Sequence, residues 1–223
     1  MNEAEALLTQ LLACDRFSLY ARRRSKMPVA VAQRLAAVLR RRITGEPLAY
    51  ILGSAEFMGL DFRVSPAVLI PRPDTEILVE TALRYCRPSH KEQQSSVQPS
   101  ALPAAVDILD IGTGSGAVAV SLAHMLPQSR VCATDSSRAA LRVARANAVS
   151  HGVDGRVDFR CCDLFPSARR FGGRFHIIVS NPPYIPSRVI RTLQREVRAE
   201  PRRALDGGAD GLTVIRRIVE RAP

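Results

Sequence analysis

At Asp110-Ile111-Gly112-Thr113-Gly114-Ser115-Gly116, three glycines stand at alternate positions directly after an apolar run. Glycine at that spacing lets the backbone turn tightly and approach a ligand with no Cβ in the way. Such a turn needs a strand to arrive and a helix to leave, and the flanking residues supply both. Val106 to Asp110 is apolar and of strand length, and a helical pattern follows at about residues 117–126. Three more apolar runs of strand length come next: Val131 to Asp135, Val157 to Cys161 and Phe175 to Ser180, with a second helical pattern at about 137–150. Alternating strands and helices specify an α/β fold, a Rossmann-like parallel sheet of about four strands within residues 105–223. The glycines do not follow G-x-G-x-x-G, and no Lys-Ser/Thr pair closes the run. Neither a dinucleotide pyrophosphate nor a triphosphate is therefore the expected guest.

Two more strand ends bear on the same crevice. Asp135 closes the second strand, where an acid accepts hydrogen bonds from ribose hydroxyls. Asp163, followed by Leu164, ends the third, where an adenine would lie. Taken singly, each also fits a structural role, as a tight turn or a helix cap. In order, and at the carboxyl edge of a parallel sheet, they make a ligand crevice.

Ser180-Asn181-Pro182-Pro183-Tyr184 follows the fourth strand. Consecutive prolines hold the backbone extended and remove two N–H donors, so the Pro182 carbonyl is left without local competition. Asn181 adds a side-chain carbonyl, and Tyr184 a flat apolar face. That set suits a planar –NH2 group: two acceptors take its hydrogens while the ring covers its plane.

The rest of the chain is read as three further units. Residues 1–45 show helical periodicity, with Leu7, Leu8, Leu11 and Leu12 on one face and Val31, Leu35, Val38 and Leu39 on another after Pro28. Two to four short helices are expected there. Residues 46–86 hold a turn at Gly45-Glu46-Pro47, an alternating hairpin strand over Phe57 to Val64, a proline-stiffened segment and a helix from Thr75 to Cys86. Residues 87–104, polar and rich in Pro and Ser, read as a flexible loop. The formal charge of +11, mostly arginine as in Arg22-Arg23-Arg24 and Arg40-Arg41-Arg42, favours an acidic partner or a solvated helical face. The chain has no Trp, which argues against an aromatic-lined sugar or single-strand site. Five cysteines without C-x-x-C spacing, and no secretory leader, read as reduced thiols in a cytoplasmic protein with no metal site. No apolar run approaches the ~18 residues a membrane span requires.

The glycine motif, with Asp135 and Asp163-Leu164, resembles the class I S-adenosylmethionine-dependent methyltransferases, whose first motif reads D/E-x-G-x-G-x-G. The resemblance implies S-adenosylmethionine as cofactor. Gly112, Thr113, Gly114, Ser115 and Gly116 would line its methionine part, Asp135 its ribose, Asp163 and Leu164 its adenine, and Asn181 the reacting end. N-P-P-Y resembles the amino-methyltransferases, which act on exocyclic amines of bases or on glutamine amides. Gly45-Glu46-Pro47 to Gly53, Glu56-Phe57, Ile70-Pro71-Arg72-Pro73-Asp74-Thr75-Glu76, Val197 to Pro201 and Ala204 to Gly211 look like the release factor glutamine methyltransferase family. By that resemblance the N-terminal helices dock a peptide-chain release factor. Asn181, Pro182, Pro183 and Tyr184 would receive the glutamine of its Gly-Gly-Gln loop and carry the catalysis, with Arg72 and Glu76 orienting the substrate or a loop. Direct nucleic-acid binding is not expected. The related glutamine methyltransferase of a ribosomal protein, a nucleic-acid amino-methyltransferase and a catalytically inert binding fold are the competing readings. The family's sheet has more strands than this chain supplies, so the resemblance also implies a C-terminally shortened chain in which activity is in question.

Overall fold

In the computed structural model, residues 3–86, 105–167 and 175–222 are described; the loop expected at 87–104 lies outside them. The chain starts with four helices, α1 (Glu3–Leu12), α2 (Arg16–Ala21), α3 (Val29–Ile43) and α4 (Leu48–Leu52). Leu7 and Leu11 form the buried side of α1, as their spacing requires. Pro28 stands just before α3, where its fixed φ suits a helix start. The arginines of the last turn of α3 complement the negative end of the helix dipole. Arg41 is paired with Glu46, and Arg42 lies between Glu3 and Glu196. Part of the positive charge is thus neutralised within the protein rather than presented to a partner.

β1 (Ser54–Phe57) and β2 (Leu60–Arg63) form an antiparallel hairpin. The run Phe57 to Val64, expected as one hairpin strand, is the turn and the second strand. Met58 and Gly59 both have positive φ, which matches the turn to the strand twist. Ser54-Ala55-Glu56 has no apolar alternation, so the first strand gave no sequence signal. α4 likewise went unseen, being barely more than one turn.

After α5 (Pro73–Cys86) come β3 (Asp107–Ile111), α6 (Ala117–Met125), β4 (Arg130–Asp135), α7 (Arg138–Ser150), β5 (Val157–Cys161) and β6 (Ile177–Ser180). These agree with the periodicity to within a residue or two at each end, the usual uncertainty of helix and strand limits. Among the described residues the parallel sheet has the order β5-β4-β3-β6. Every residue of β3 is buried, as befits a strand covered on both faces. α6 buries all of Ala117 to Ala123, which is why its sequence is apolar all round. The short α8 (Arg195–Arg198) and α9 (Arg202–Leu205), then α10 (Thr213–Arg221), complete the described chain. No helix among the described residues is long and apolar enough to cross a membrane.

The strand order positions the site. From β3 the chain moves outward to β4 and β5, then returns to place β6 on the other side of β3. The crevice where the order reverses therefore opens between the carboxyl ends of β3 and β6. Those ends carry the glycine turn and N-P-P-Y.

Candidate active site

The glycine turn is held by the neighbouring strand. The backbone N–H groups of Gly112 and Thr113 both donate to the carbonyl of Thr134, at 2.9 Å each. Gly114, at φ +57, donates its N–H to Asp135 Oδ2 at 3.0 Å, and Ser137 donates to Oδ1 at 2.7 Å. The Asp135 carboxylate thereby joins the turn to the start of α7. A Cβ on Gly112 would meet nothing within 4 Å, so that side of the turn is open. Asn147, fully buried on α7, donates to the carbonyls of Ser115 (2.8 Å) and Arg63 (3.0 Å) and accepts from Arg63 N–H (2.8 Å). One side chain thus fastens the hairpin to the glycine turn.

Beneath the turn lies the Asp110 carboxyl, 1% exposed. Loss of hydration pushes its pKa up to about 7, with the Ala119 N–H only partly opposing and the charge on Asp135 adding to the rise. Asp110 Oδ2 and Thr113 Oγ1 have no hydrogen-bond partner among the described residues. A carboxyl whose folded pKa is raised favours the native state below the unfolded pKa, near 4, and that contribution is lost as pH climbs to about 7. Asp110→Asn carries no charge at any pH. Its urea midpoint relative to the natural chain should therefore rise from pH 4 to pH 7. A constant offset would show that burial does not raise the Asp110 pKa.

Leu164 has a φ of +64, and its carbonyl accepts the Thr134 hydroxyl at 2.7 Å. It packs with Phe165 and Ile218 against Leu109, Ile111 and Cys132. Asp163 is paired with Arg217 of α10. Gly112, Gly114, Asp135, Asp163 and Leu164 together line a cavity of about 270 Å³ that reaches Asn181, Pro182 and Pro183. An open glycine turn, a carboxylate on the second strand and an apolar wall on the third suit a nucleoside with a charged tail.

A second cavity of about 740 Å³ lies on the other side of the N-P-P-Y turn, lined by Arg72, Thr75, Asn181, Pro182, Tyr184 and Glu200 among others. Ser180, Asn181 and Pro182 belong to both cavities. The turn is the shared wall. Asn181 Nδ2 donates to Thr75 Oγ1 at 2.9 Å, and the Tyr184 side chain is exposed toward the larger cavity. Behind the turn, Ile185 pairs with Asp206 in a parallel bridge: Ile185 N–H donates to Leu205 O at 3.0 Å, and Gly207 N–H to Ile185 O at 2.9 Å.

Of the sequence-derived site residues, all but Glu76 are brought to these two cavities or, for Thr113, Ser115 and Gly116, to the turn that borders one. The Glu76 carboxylate instead accepts from Met58 N–H at 2.7 Å and fixes the hairpin turn. Arg72 lines the larger cavity, ion-paired with the buried Glu200. Thr75, Asn147, Glu200 and Gly207 were not singled out for a role by sequence. Three of them lie within the quoted family motifs, which was the available signal; Asn147 had none beyond being an uncharged polar residue on a core-facing helix position.

Two family descriptions match the chain: the PrmC N-terminal domain over residues 1–53, and the methyltransferase small domain over residues 94–221. Relatives named release factor glutamine methyltransferase include one from Moorella thermoacetica, 44% identical over 220 residues, spanning 99% of this chain and 72% of that protein. Another, from Bradyrhizobium diazoefficiens, is 45% identical over 221 residues, with 99% and 70% covered. Among solved structures, the hMettl16 catalytic domain in complex with MAT2A 3'UTR hairpin 6 superimposes with a TM-score of 0.51 at 14% identity, over 73% of this chain and 56% of that one. At that identity the likeness is one of fold.

Proposed function

Because the chain belongs to the release factor glutamine methyltransferase family, we infer that it methylates a glutamine side-chain amide of a peptide-chain release factor, using S-adenosylmethionine. The observation that supports this reading is that Ser180, Asn181 and Pro182 line two cavities at once, a smaller one whose lining suits a nucleoside and a larger one with room for a protein loop. S-adenosylmethionine supplies an activated methyl group on a sulfonium centre. The residues present fit it. Gly112 to Gly116 would receive its methionine part beside the partnerless Asp110 Oδ2 and Thr113 Oγ1. Asp135 would take the ribose, and Asp163 with Leu164 the adenine.

The protein's contribution is to prepare the amide. An amide nitrogen is a weak nucleophile because its lone pair is delocalised into the carbonyl. The Asn181 side-chain carbonyl and the Pro182 backbone carbonyl each accept one N–H of the substrate, concentrating electron density on nitrogen. Tyr184 covers the amide plane, which leaves the lone pair facing the cofactor cavity. Positioning and electrostatics then suffice without a strong base. In the larger cavity, Arg72 holds the wall rather than the reacting atoms.

Incubation of the chain with tritiated S-adenosylmethionine and a release factor tests the reading directly. Label is expected on the natural factor and not on its Gln→Ala variant in the Gly-Gly-Gln loop. Label on both, or preferentially on a ribosomal protein or on nucleic acid, would overturn it.

A further inference from the structure

Asn181 presents a difficulty that its identity alone does not solve. The two ends of its amide are nearly isosteric but opposite in hydrogen-bonding sense: Oδ1 accepts and Nδ2 donates. A substrate –NH2 needs the carbonyl end. Turned over, the amide would set donor against donor and leave both unpaired in a confined site. Something in the protein must fix the rotamer, and among the described residues the group bonded to Nδ2 is the Thr75 hydroxyl, at 2.9 Å.

We propose that Thr75 is a positioning residue that holds the Asn181 amide with its carbonyl toward the substrate cavity, an inference that rests on the glutamine reading above. Thr75 is well placed for this. It lies in the first turn of α5, where its own N–H donates to the Arg72 carbonyl at 2.9 Å. The segment just before it is anchored from the far side of the sequence. Glu200 Oε2 accepts the Ile70 N–H at 3.0 Å, and Glu200 Oε1 is paired with Arg72. Orientation thus passes from Glu200, through the proline-stiffened Ile70 to Pro73, to the Thr75 hydroxyl and on to Asn181. Thr75 lines the larger cavity and is absent from the lining of the smaller one. Its role therefore falls on transfer and not on cofactor binding.

The test compares Thr75→Val, which keeps the shape and removes the acceptor, with Thr75→Ser, which keeps the acceptor. Thr75→Ala, which cannot crowd its neighbours, runs alongside in case valine perturbs folding. Three quantities are read on the full chain: turnover with release factor, S-adenosylmethionine affinity by calorimetry, and the ¹⁵N-resolved side-chain N–H signals of Asn181. Valine and alanine are expected to lower kcat by about 10- to 100-fold, as leaving paired donors unmatched would. Serine should stay within about threefold, and cofactor affinity within about twofold, for all three variants. The Asn181 N–H signals should lose their hydrogen-bonded shift in valine and alanine and keep it in serine. Undiminished turnover in Thr75→Val, unmoved Asn181 signals, or a loss matched by equal loss of cofactor affinity would each overturn the proposal. If the natural chain puts no methyl on glutamine while the Asn181 signals respond as expected, the positioning role stands and the substrate reading fails. The two are thereby separated.

Discussion

Gly207→Ala is expected to lower methyl transfer by about 100-fold while the fold survives. The reason is steric and local. A Cβ at residue 207 would sit 2.5 Å from the Gly211 carbonyl oxygen, 2.8 Å from the Pro183 carbonyl oxygen and 2.8 Å from Tyr184 Cα. All three are backbone atoms, so no side chain can swing aside. Either Ala204 to Gly211 retreats or the N-P-P-Y turn does, and the bridge between Ile185 and Asp206 couples the two. A misplacement on the order of 1 Å at reacting groups costs roughly a hundredfold in rate. The sheet, whose core is Ile108, Leu109, Leu122, Val131 and Leu141, is not touched by the change. Gly112→Ala makes the contrast in the protein alone: its Cβ would meet nothing within 4 Å, so folding bears only the cost of positive φ, about 1 kcal/mol. Any loss of transfer should come with a loss of cofactor affinity, because Gly112 lines the smaller cavity. Single-turnover rates with S-adenosylmethionine affinity measured in parallel would decide. If Gly207→Ala turned over within about threefold of the natural chain, the close approach would not position the turn.

Arg72→Ala should destabilise the chain by about 3 kcal/mol, more than removal of its buried partner. The pair is lopsided: the Glu200 side chain is 2% exposed and that of Arg72 39%. Taking away Glu200 leaves an arginine that water can reach. Taking away Arg72 leaves a buried carboxylate whose remaining hydrogen bond among the described residues comes from the Ile70 N–H. Breaking a buried pair from one side costs about 3–5 kcal/mol, and the exposure of Arg72 puts this case at the low end. For a chain of this size the thermal midpoint would fall by roughly 6–12 °C. Arg72→Met combined with Glu200→Gln should recover most of the loss, because the amide still accepts from Ile70 and no charge remains buried. Equal midpoints for Arg72→Ala and Glu200→Gln would mean that water already solvates the carboxylate.

What could be read from sequence, and what could not, divides along the range of the interactions. The sheet strands and their helices follow from apolar periodicity, because a strand buried on both faces must be apolar throughout and β3 is. Gly112 to Gly116, Asp135 and N-P-P-Y were legible because each sits at a strand end, where chain direction and chemistry are fixed together. Glu76 was less legible: the motif that carries it points to substrate or loop, and the structure shows its carboxylate accepting the N–H of Met58, 18 positions earlier, a partner that no local pattern marks. Thr75, Glu200 and Gly207 act through partners that are remote in sequence or through backbone proximity, and neither has a periodicity. Asn147 is the extreme case, as it bonds a residue 84 positions away.

That separation has a consequence for how the molecule comes into being. Ile70 and Arg72 leave the ribosome long before Glu200, which follows 128 residues after Arg72. At about 5–20 residues per second, the wall of the larger cavity must wait roughly 6–26 s for the group that closes it. During that interval the N-terminal helices and the first strands can settle, but Thr75 has no anchored segment to stand on. The nascent chain therefore holds its glycine turn well before either cavity is closed, and the smaller one is completed last, by Arg217 and Ile218.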